Sequence, residues 1–475
     1  MIQTEITVIR FGLGARPGEF AAAAADPRAW LLKQLQGPVK LASNVALAPS
    51  DRIFTELAAA REQRREMKQE TAADGGTAAS NPVRDAYLPH YRAQVLARAQ
   101  SAAQTTRPFA ERLVHFWTNH FAVSADKGAV IGVAGTFENE AVRPHVNGRF
   151  VDLLMAAEQH PAMIEFLDNQ NSVGKDSELA QAAARRAAAM SWGRMDPAAK
   201  PRREFGINEN LGREILELHT LGVHGGYTQG DVTAFAQILT GWSIGGGKGR
   251  LAGGVPGRFY FRDTLHEPGP RTFMGRTYRQ SGVRQGAAVL ADLAAHPSTA
   301  RFIATKLVRH FIADDPPSSA VERVTQAFLK SGGDLPRVYA ALIECPQSWD
   351  ADMRKYKTPQ DFVFSTLRAL DAVPRDPQEM IRTFDLLGQR QFTPGSPAGW
   401  PDTAKGWDGS DALMHRVLWA SRMAARFERG QQPTDVAAAS LGGYVRPGTT
   451  AALRRASSPA QALALLLMSP EFQRR

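Results

Sequence analysis

Apolar residues recur at intervals of three and four along most of this chain, the spacing that gathers them on one side of an α-helix. The predicted helices span residues 86–104, 107–122, 130–146, 150–159, 209–221, 229–241, 285–294, 298–313, 320–331, 335–344, 359–371, 376–387, 410–426 and 459–467. The last begins with a clear signal, because Ser458 is a typical N-cap and Pro459 suits the first helical position. The sequence therefore predicts a mainly α fold, a large multi-helix globular body.

The helical spacing stops between Gly245 and Gly275, where glycines and prolines mark a series of turns. Alternation from Arg258 to Arg262 is typical of a short strand. We therefore expect a small β-hairpin and loop excursion around residues 245–280.

A chain of 475 residues with 43 % hydrophobic content is long enough to bury a large core. We expect a single large helical domain over residues 1–475, with two lobes, about 1–205 and 206–475, as the alternative. Residues 61–81 and 172–205 are rich in charged and small residues, which predicts flexible or lid-like segments. No internal repeat is visible, and this argues against a solenoid.

The net charge of +10 comes from basic residues that are scattered among acidic ones along the whole chain. A nucleic-acid-binding protein usually gathers its basic residues in one stripe, with aromatic residues between them. Nucleic-acid binding through an Arg-rich surface is therefore not favoured, although it stays as an alternative function. Attraction of an anionic substrate is another consequence of positive charge.

The single cysteine, Cys345, excludes an internal disulfide framework and a cysteine-based zinc site. The first residues have neither the basic nor the apolar run of a secretory signal peptide. Membrane insertion is not expected either, because no stretch of about 18 consecutive apolar residues occurs. We therefore expect a cytoplasmic protein.

The segment from Asn208 to Trp242 combines polar and charged residues with an apolar helical pattern. On an ideal helix, Asn210, Glu214 and Glu217 share one narrow arc beside leucines. Two such carboxylates are suited to hold a divalent cation or to act as general acid and base. The alternative is a plain ion-pair ladder, in which Arg213 pairs with its i, i+4 neighbours Glu209 and Glu217.

Imidazoles for such a site have to come from elsewhere in the chain. His219 points about 180° away from Asn210 on the same ideal helix, so it needs other partners. His120 lies in an aromatic helix, where a packed core histidine is the other interpretation, and His266 lies in a Gly- and Pro-framed loop that is free to face a cleft. Thr228 is placed to cap the helix that follows it.

Prolines surround Trp400 and Trp407 in the segment 388–411. The two rings either form a stacking wall for a ligand or close the core beneath a long loop.

Several motifs together resemble a bacterial family known as Domain of Unknown Function 1800. They include RFGLGARPGE, RLVHFWTNHF, HPAMIEFLDN, NENLGREILELHTLGV and HEPGPRTFMG, and they cover nearly the whole chain. The resemblance implies a predominantly helical fold and no established activity. It also implies a partner from a second family, Domain of Unknown Function 1501, and co-export with that partner.

The family's polar signature falls here on Arg143, Asp168, Asn169, Ser172, Asn208, Glu209, Asn210, Arg213, Glu214, Glu217, His219, Asp231, His266 and Lys306. The chain departs from the family pattern at Thr118, where a histidine is often found, and at Glu267 and Arg271. The loss of a histidine at position 118 weakens any mechanism that needs two neighbouring histidines on that helix.

The leading hypothesis is a hydrolase, metal-dependent or acid–base, that acts on an anionic or carbonyl substrate. Its catalytic residues are Glu214, Glu217, His266 and Arg213. Its substrate-binding residues are Asn208, Asn210, Arg143, Asp168 and Trp400. A divalent metal, if present, is held by Glu214, Glu217 and His120. The competing hypothesis is a non-enzymatic helical scaffold or escort that binds a partner protein.

Overall fold

Helices dominate the computed structural model, which describes residues 2–74, 81–191, 206–247, 249–427 and 430–475. The α-helices are α1 Ile2–Ile6, α2 Glu19–Ala23, α3 Pro27–Lys33, α4 Ser50–Asp74, α5 Pro82–Gln104, α6 Pro108–His120, α7 Ala134–Phe137, α8 Phe150–Glu158, α9 Pro161–Phe166, α10 Glu178–Ser191, α11 Asn210–Glu214, α12 Gln229–Ile238, α13 Val283–Ala295, α14 Pro297–Phe311, α15 Ser318–Ser331, α16 Leu335–Glu344, α17 Pro359–Ala369, α18 Pro377–Leu386, α19 Ser410–Phe427, α20 Pro433–Leu441, α21 Pro447–Arg455 and α22 Pro459–Leu467. The predicted mainly α fold is confirmed. None of these helices is both long and apolar enough to cross a membrane.

Many helices begin as the sequence rules require. Asp26, Thr358, Asp376 and Ser458 each accept a backbone N–H from the first turn of their helix, and a proline occupies the next position. Proline suits this place because its missing N–H would have no partner there. The predicted cap at Ser458 is confirmed.

The long helix α4 and several short helices were not predicted; the short ones are α1, α2, α3, α9, α20 and α21. Each has nine residues or fewer. Segments of that length hold too few apolar residues to establish a period. Of the segments predicted to be flexible or lid-like, residues 61–74 belong to α4 and Glu178–Ser191 forms α10, while 75–80 and 192–205 lie outside the described residues.

Three helices continue into a π-helical turn. These turns are π1 Thr7–Phe11 after α1, π2 Glu138–Val142 after α7, and π3 Ile215–His219 after α11. The backbone widens in a π turn because each N–H bonds to the carbonyl five residues back, and such turns are frequent at functional sites. Each turn here holds a polar side chain in the interior: Arg10, Glu138 and His219.

The β excursion consists of two small antiparallel hairpins. In the first, β1 Trp242–Ile244 pairs with β2 Phe259–Phe261, and Ser243 is opposite Tyr260. In the second, β3 Arg271–Phe273 pairs with β4 Arg276–Tyr278. The predicted excursion around residues 245–280 is therefore confirmed, with β1 beginning slightly earlier.

The core is built around α6, in which every residue except Asn119 is buried. Its aromatic side chains pack against those of other helices, as where the Phe109 and Phe311 ring centroids lie 5.7 Å apart. One buried hydrophobic cluster reaches from Ile6 to Phe472. The core thus combines residues from both predicted lobes.

Several charged side chains in this core are paired. Arg143 donates to both carboxylate oxygens of Glu111, at 2.6 and 2.9 Å, and Arg98 Nε lies 3.1 Å from Glu138 Oε2. Thr118 donates to the same Glu138 oxygen at 3.0 Å. Pairing of this kind is needed because an isolated buried charge costs several kcal/mol.

Candidate functional site

The helix with the predicted acidic arc is not an ideal α-helix. It is α-helical from Asn210 to Glu214 and π-helical from Ile215 to His219. The prediction of an α-helix from Glu209 to about Leu221 is wrong beyond Glu214, and so is the 180° separation of His219 that follows from it. His219 lies close enough to Glu214 for its charge to lower the pKa of that carboxyl.

Glu214 and Asn210 line an open groove of about 430 Å³. The other walls are formed by Ser124, Asp126 and Lys127 after α6, by Phe166 and Leu167 at the end of α9, and by the loop 394–397. Both α11 residues belong to the acidic arc predicted from the sequence.

The Glu214 carboxyl is half-buried and makes no hydrogen bond or ion pair with any described residue. Partial burial raises its pKa, the negative charges of Glu217 and Glu158 add to the rise, and His219 and Arg213 oppose it. A carboxyl with a raised pKa keeps its proton to higher pH, which makes it a better proton donor. Glu217, one turn further on, is also partly exposed.

A buried contact between a histidine and a glutamate lies next to Glu214. His219 Nδ1 is 2.8 Å from Glu158 Oε1, and neither side chain has any solvent exposure. The backbone carbonyl of His219 accepts a hydrogen bond from His120 Nε2 at 3.1 Å. Glu158 is the partner from elsewhere that His219 was expected to need, and it fixes the π turn against the end of α8.

His120 is one of the three predicted metal ligands, and it is enclosed by the rings of Phe116, Trp117 and Phe121. Burial lowers its pKa well below the usual range, so the imidazole is uncharged. Across the described part of the chain, no three His, Cys, Asp or Glu side chains are arranged to hold a metal ion. Glu214, Glu217 and His120 therefore do not form a three-ligand set.

Lys127 brings a positive charge to the groove. Its ammonium lies 2.6 Å from Asp168 Oδ2 and donates to the Phe166 carbonyl at 2.9 Å. Asn208 secures the same region, since its side-chain amide donates to the carbonyls of Leu167 and Asp168. Two predicted substrate-binding residues, Asn208 and Asp168, thus border the groove as structural supports.

Arg213 turns away from the acidic residues of the groove. It donates to Glu209 Oε2 at 3.0 Å, the bond expected of an i, i+4 pair, and to Gln229 Oε1 at 2.8 Å. Glu209 also accepts from Thr233 and Gln229, and these bonds lower the pKa of its carboxyl. The predicted cap at Thr228 is confirmed, because Thr228 and Asp231 form a reciprocal capping box at the start of α12.

His266 lies at the end of α12, and its described contacts do not include the acidic residues of α11 and π3. Its Nδ1 donates to the Thr240 carbonyl at 2.9 Å, and its ring packs against Phe261. The neighbouring Glu267 is fully buried and pairs with Arg271 at 2.9 Å. The two residues that were expected to depart from the family pattern are therefore partners of one another.

The remaining predicted substrate-binding residues lie away from Glu214. Arg143 is buried against Glu111 in the core. Trp400 packs on the buried Trp407, with ring centroids 5.8 Å apart, and its backbone is bonded to Asn119. Trp407 is buried and Trp400 is partly exposed, so the pair packs over the core beneath this loop.

The sequence did not point to Glu158 or Lys127 as site residues, and within the segment 388–411 it pointed to Trp400 and not to the loop 394–397. Glu158 ends an ordinary amphipathic helix, and Lys127 stands in a loop without a motif. The apolar sequence around Glu158 was the only available signal, since a carboxylate that is buried there needs a partner.

Fold and groove define a mainly α-helical protein with a small β excursion and a half-buried acidic residue in an open groove. The chain belongs to the family described as "Protein of unknown function (DUF1800)", whose model matches residues 6–474. The resemblance identified from the sequence is thereby confirmed. No curated protein and no solved structure matches the chain.

Proposed function

We propose that this protein is a hydrolase that uses general acid and base catalysis in the groove, on an anionic or carbonyl substrate. The observation that carries the proposal is Glu214. Its carboxyl faces an open groove, lacks a partner among the described residues and has a raised pKa. Carboxyls of this kind cluster at catalytic sites because function requires the shift.

In the proposed reaction, Glu217, which is partly exposed one turn beyond Glu214 and does not itself line the groove, takes a proton from a water molecule. The resulting hydroxide attacks the substrate carbonyl or phosphoryl centre. Glu214 gives its proton to the leaving oxygen or nitrogen as that bond breaks. Water is thereby divided between the two products, and the proton returns from Glu217 to Glu214 through solvent. Lys127 attracts the negative charge of the substrate, and Asn210 offers an amide for orientation.

A panel of nitrophenyl esters, anilides and phosphate esters tests this proposal by comparing wild-type protein with Glu214→Gln. We expect the variant to lose about 10²- to 10⁴-fold in kcat/KM on any substrate that is turned over, the usual contribution of a positioned acid. Glu209→Gln is the matched control, because Glu209 lies on the same helical segment but is bonded to Thr233 and Gln229. Equal rates for wild-type protein and Glu214→Gln would reject the role of Glu214.

The second candidate function is a scaffold or escort for a partner protein, and an exposed apolar stripe favours it. Leu413, Met414, Val417 and Leu418 lie on adjacent turns of α19 and are 39–57 % exposed. Contiguous apolar surface of this kind is typical of protein interfaces. The partner we propose is the protein of the 1501 family that the resemblance implies.

Co-expression with such a partner, followed by affinity capture, tests the second candidate. We expect a complex that is lost when Met414 and Leu418 are both replaced by Asp. Val373→Asp is the control, because Val373 is an exposed apolar residue outside α19. Capture that is unchanged in the double variant would exclude the stripe as the interface.

A further inference from the structure

A second, smaller cavity lies beneath the segment 389–402, and Pro394 borders both this cavity and the groove. Its volume is about 60 Å³, and its walls come from α5, α6, α14, α17, the segment 389–402 and Arg475. One water molecule needs roughly 15 Å³ by the same measure, so a small polyatomic ligand fits.

Positive charge is in excess on one wall of this cavity. Arg112 Nη1 and Arg475 Nε lie 3.0 and 2.7 Å from the two carboxylate oxygens of Asp361, so one buried acid is shared by two buried guanidinium groups. Lys357 is buried near Asp361 but does not line the cavity, and burial lowers its pKa to about 7 against the raising effect of Asp361. A buried positive excess of this kind is stabilised by an anion.

Two uncharged histidines face the same space. His115 is 5 % exposed, and neither ring nitrogen has a hydrogen-bond partner among the described residues; the nearest carboxylate oxygen, on Glu111, is 3.7 Å from Nε2. His310 Nε2 likewise has no described partner, and burial lowers the pKa of this imidazole to about 4. Buried polar atoms are almost always hydrogen-bonded, so these nitrogens indicate a polar ligand.

The other charged groups that line the cavity contact neither Arg112 nor Arg475. Arg98 is paired with Glu138, and Arg390 is paired with Asp126 on the surface. Asp402 also lines the cavity; its carboxylate lies 3.9 Å from His310 Nδ1, and the neighbouring His310 and Lys306 lower its pKa to about 2, so it carries a second negative charge. Asp361 thus remains the one acid that directly contacts Arg112 and Arg475 within the described part of the chain.

We propose that this cavity binds a small oxyanion, inorganic phosphate or a short carboxylate, between Arg112, Arg475 and His115. Guanidinium groups match the paired oxygens of such anions, and an uncharged imidazole supplies one further donor. The site stands apart from Glu214, so its existence does not depend on the proposed hydrolase.

Calorimetric titration of the full chain in Tris buffer, with phosphate and acetate in separate experiments, tests this site. We expect one anion per chain, and binding at least about tenfold weaker in Arg475→Gln, because a charge-assisted hydrogen bond and the excess charge are both lost. Arg474→Gln is the matched control, since it removes the same charge from the exposed neighbouring residue. Binding of only one of the two anions assigns the class of ligand.

A second variant is used if the first one does not fold. If circular dichroism shows that Arg475→Gln is unfolded, His115→Phe takes its place, because it keeps a ring of similar shape and removes both nitrogens. We expect it also to weaken binding. The proposal is overturned if neither anion binds at millimolar concentration, or if affinity is unchanged in the folded variants.

Discussion

At the scale of single residues, Glu209 and Glu214 show how strongly local surroundings control the pKa of a carboxyl group. Both stand at the ends of the same short helical segment. Partial burial raises the pKa of Glu214, whereas hydrogen bonds from Thr233 and Gln229 lower the pKa of Glu209. Two glutamates that look alike in the sequence therefore differ in chemistry.

This difference predicts opposite effects of the two Gln substitutions on stability. A raised pKa in the folded state means that ionised Glu214 disfavours folding, so Glu214→Gln is expected to raise Tm at pH 8. The gain should shrink as the pH falls below the ordinary pKa of glutamate, where the folded and unfolded states both hold the proton. Glu209→Gln should lower Tm at pH 8, with the loss fading as acid protonates the wild-type carboxyl. Thermal melts across this pH range show whether each substitution raises or lowers Tm. A change of the same sign in both variants would contradict the surroundings assigned to the two carboxyls.

Arg143 is expected to be essential to the core. Arg143→Met leaves the carboxylate of Glu111 buried with its main partner removed, which costs about 3–5 kcal/mol of unfolding free energy. Adding Glu111→Gln to this variant should restore part of the loss, because the unpaired charge is then absent. Urea unfolding of the single and double variants measures both effects. A single variant as stable as wild type would show that the pair is not needed.

The sequence suggested Arg143 as a substrate-binding residue because it belongs to a polar signature. Its partner Glu111 lies 32 positions away on another helix. A spacing pattern within one helix cannot show such a contact. The contact made by Arg213 could be predicted from the sequence, because its partner Glu209 is on the adjacent turn, where the i, i+4 rule applies.

At the scale of elements, the π turn at Ile215–His219 decides the geometry of the groove. A hydrophobic pattern cannot distinguish a π turn from an α-helix, because both place apolar residues on one side over so few positions. The wider turn allows His219 to reach Glu158 while Glu214 remains in the groove. Helical periodicity therefore predicted that a helix exists here, but the direction of His219 depends on tertiary contacts.

The start of α12 gives a prediction at this scale. Thr228→Ala removes a hydroxyl that accepts the N–H of Asp231, and it should lower the unfolding free energy by about 1 kcal/mol. Thr228→Ser should retain most of the stability, since the serine hydroxyl can make the same bond. Chemical denaturation distinguishes the two variants, and equal losses would mean that the cap is not what stabilises this helix.

At the scale of the whole molecule, the mainly α fold was predictable because the long helices carry three or four turns of regular apolar spacing. Which helices pack against one another was not predictable from the same pattern. His120 and His219 are 99 positions apart and share a hydrogen bond only because α6 passes beneath the π turn. The groove likewise combines residues from four separate segments, so the sequence supplied Glu214 and Asn210 but not Lys127 or the loop 394–397.

The measurement that tests the central claim most directly is a carbon-13 NMR titration of the glutamate carboxyls in the whole protein. The signal that disappears in Glu214→Gln belongs to Glu214. We expect its midpoint to lie above that of an unperturbed glutamate, because burial and the neighbouring charges of Glu217 and Glu158 disfavour ionisation. A midpoint at or below the ordinary value would contradict the role of Glu214 as a proton donor in this groove.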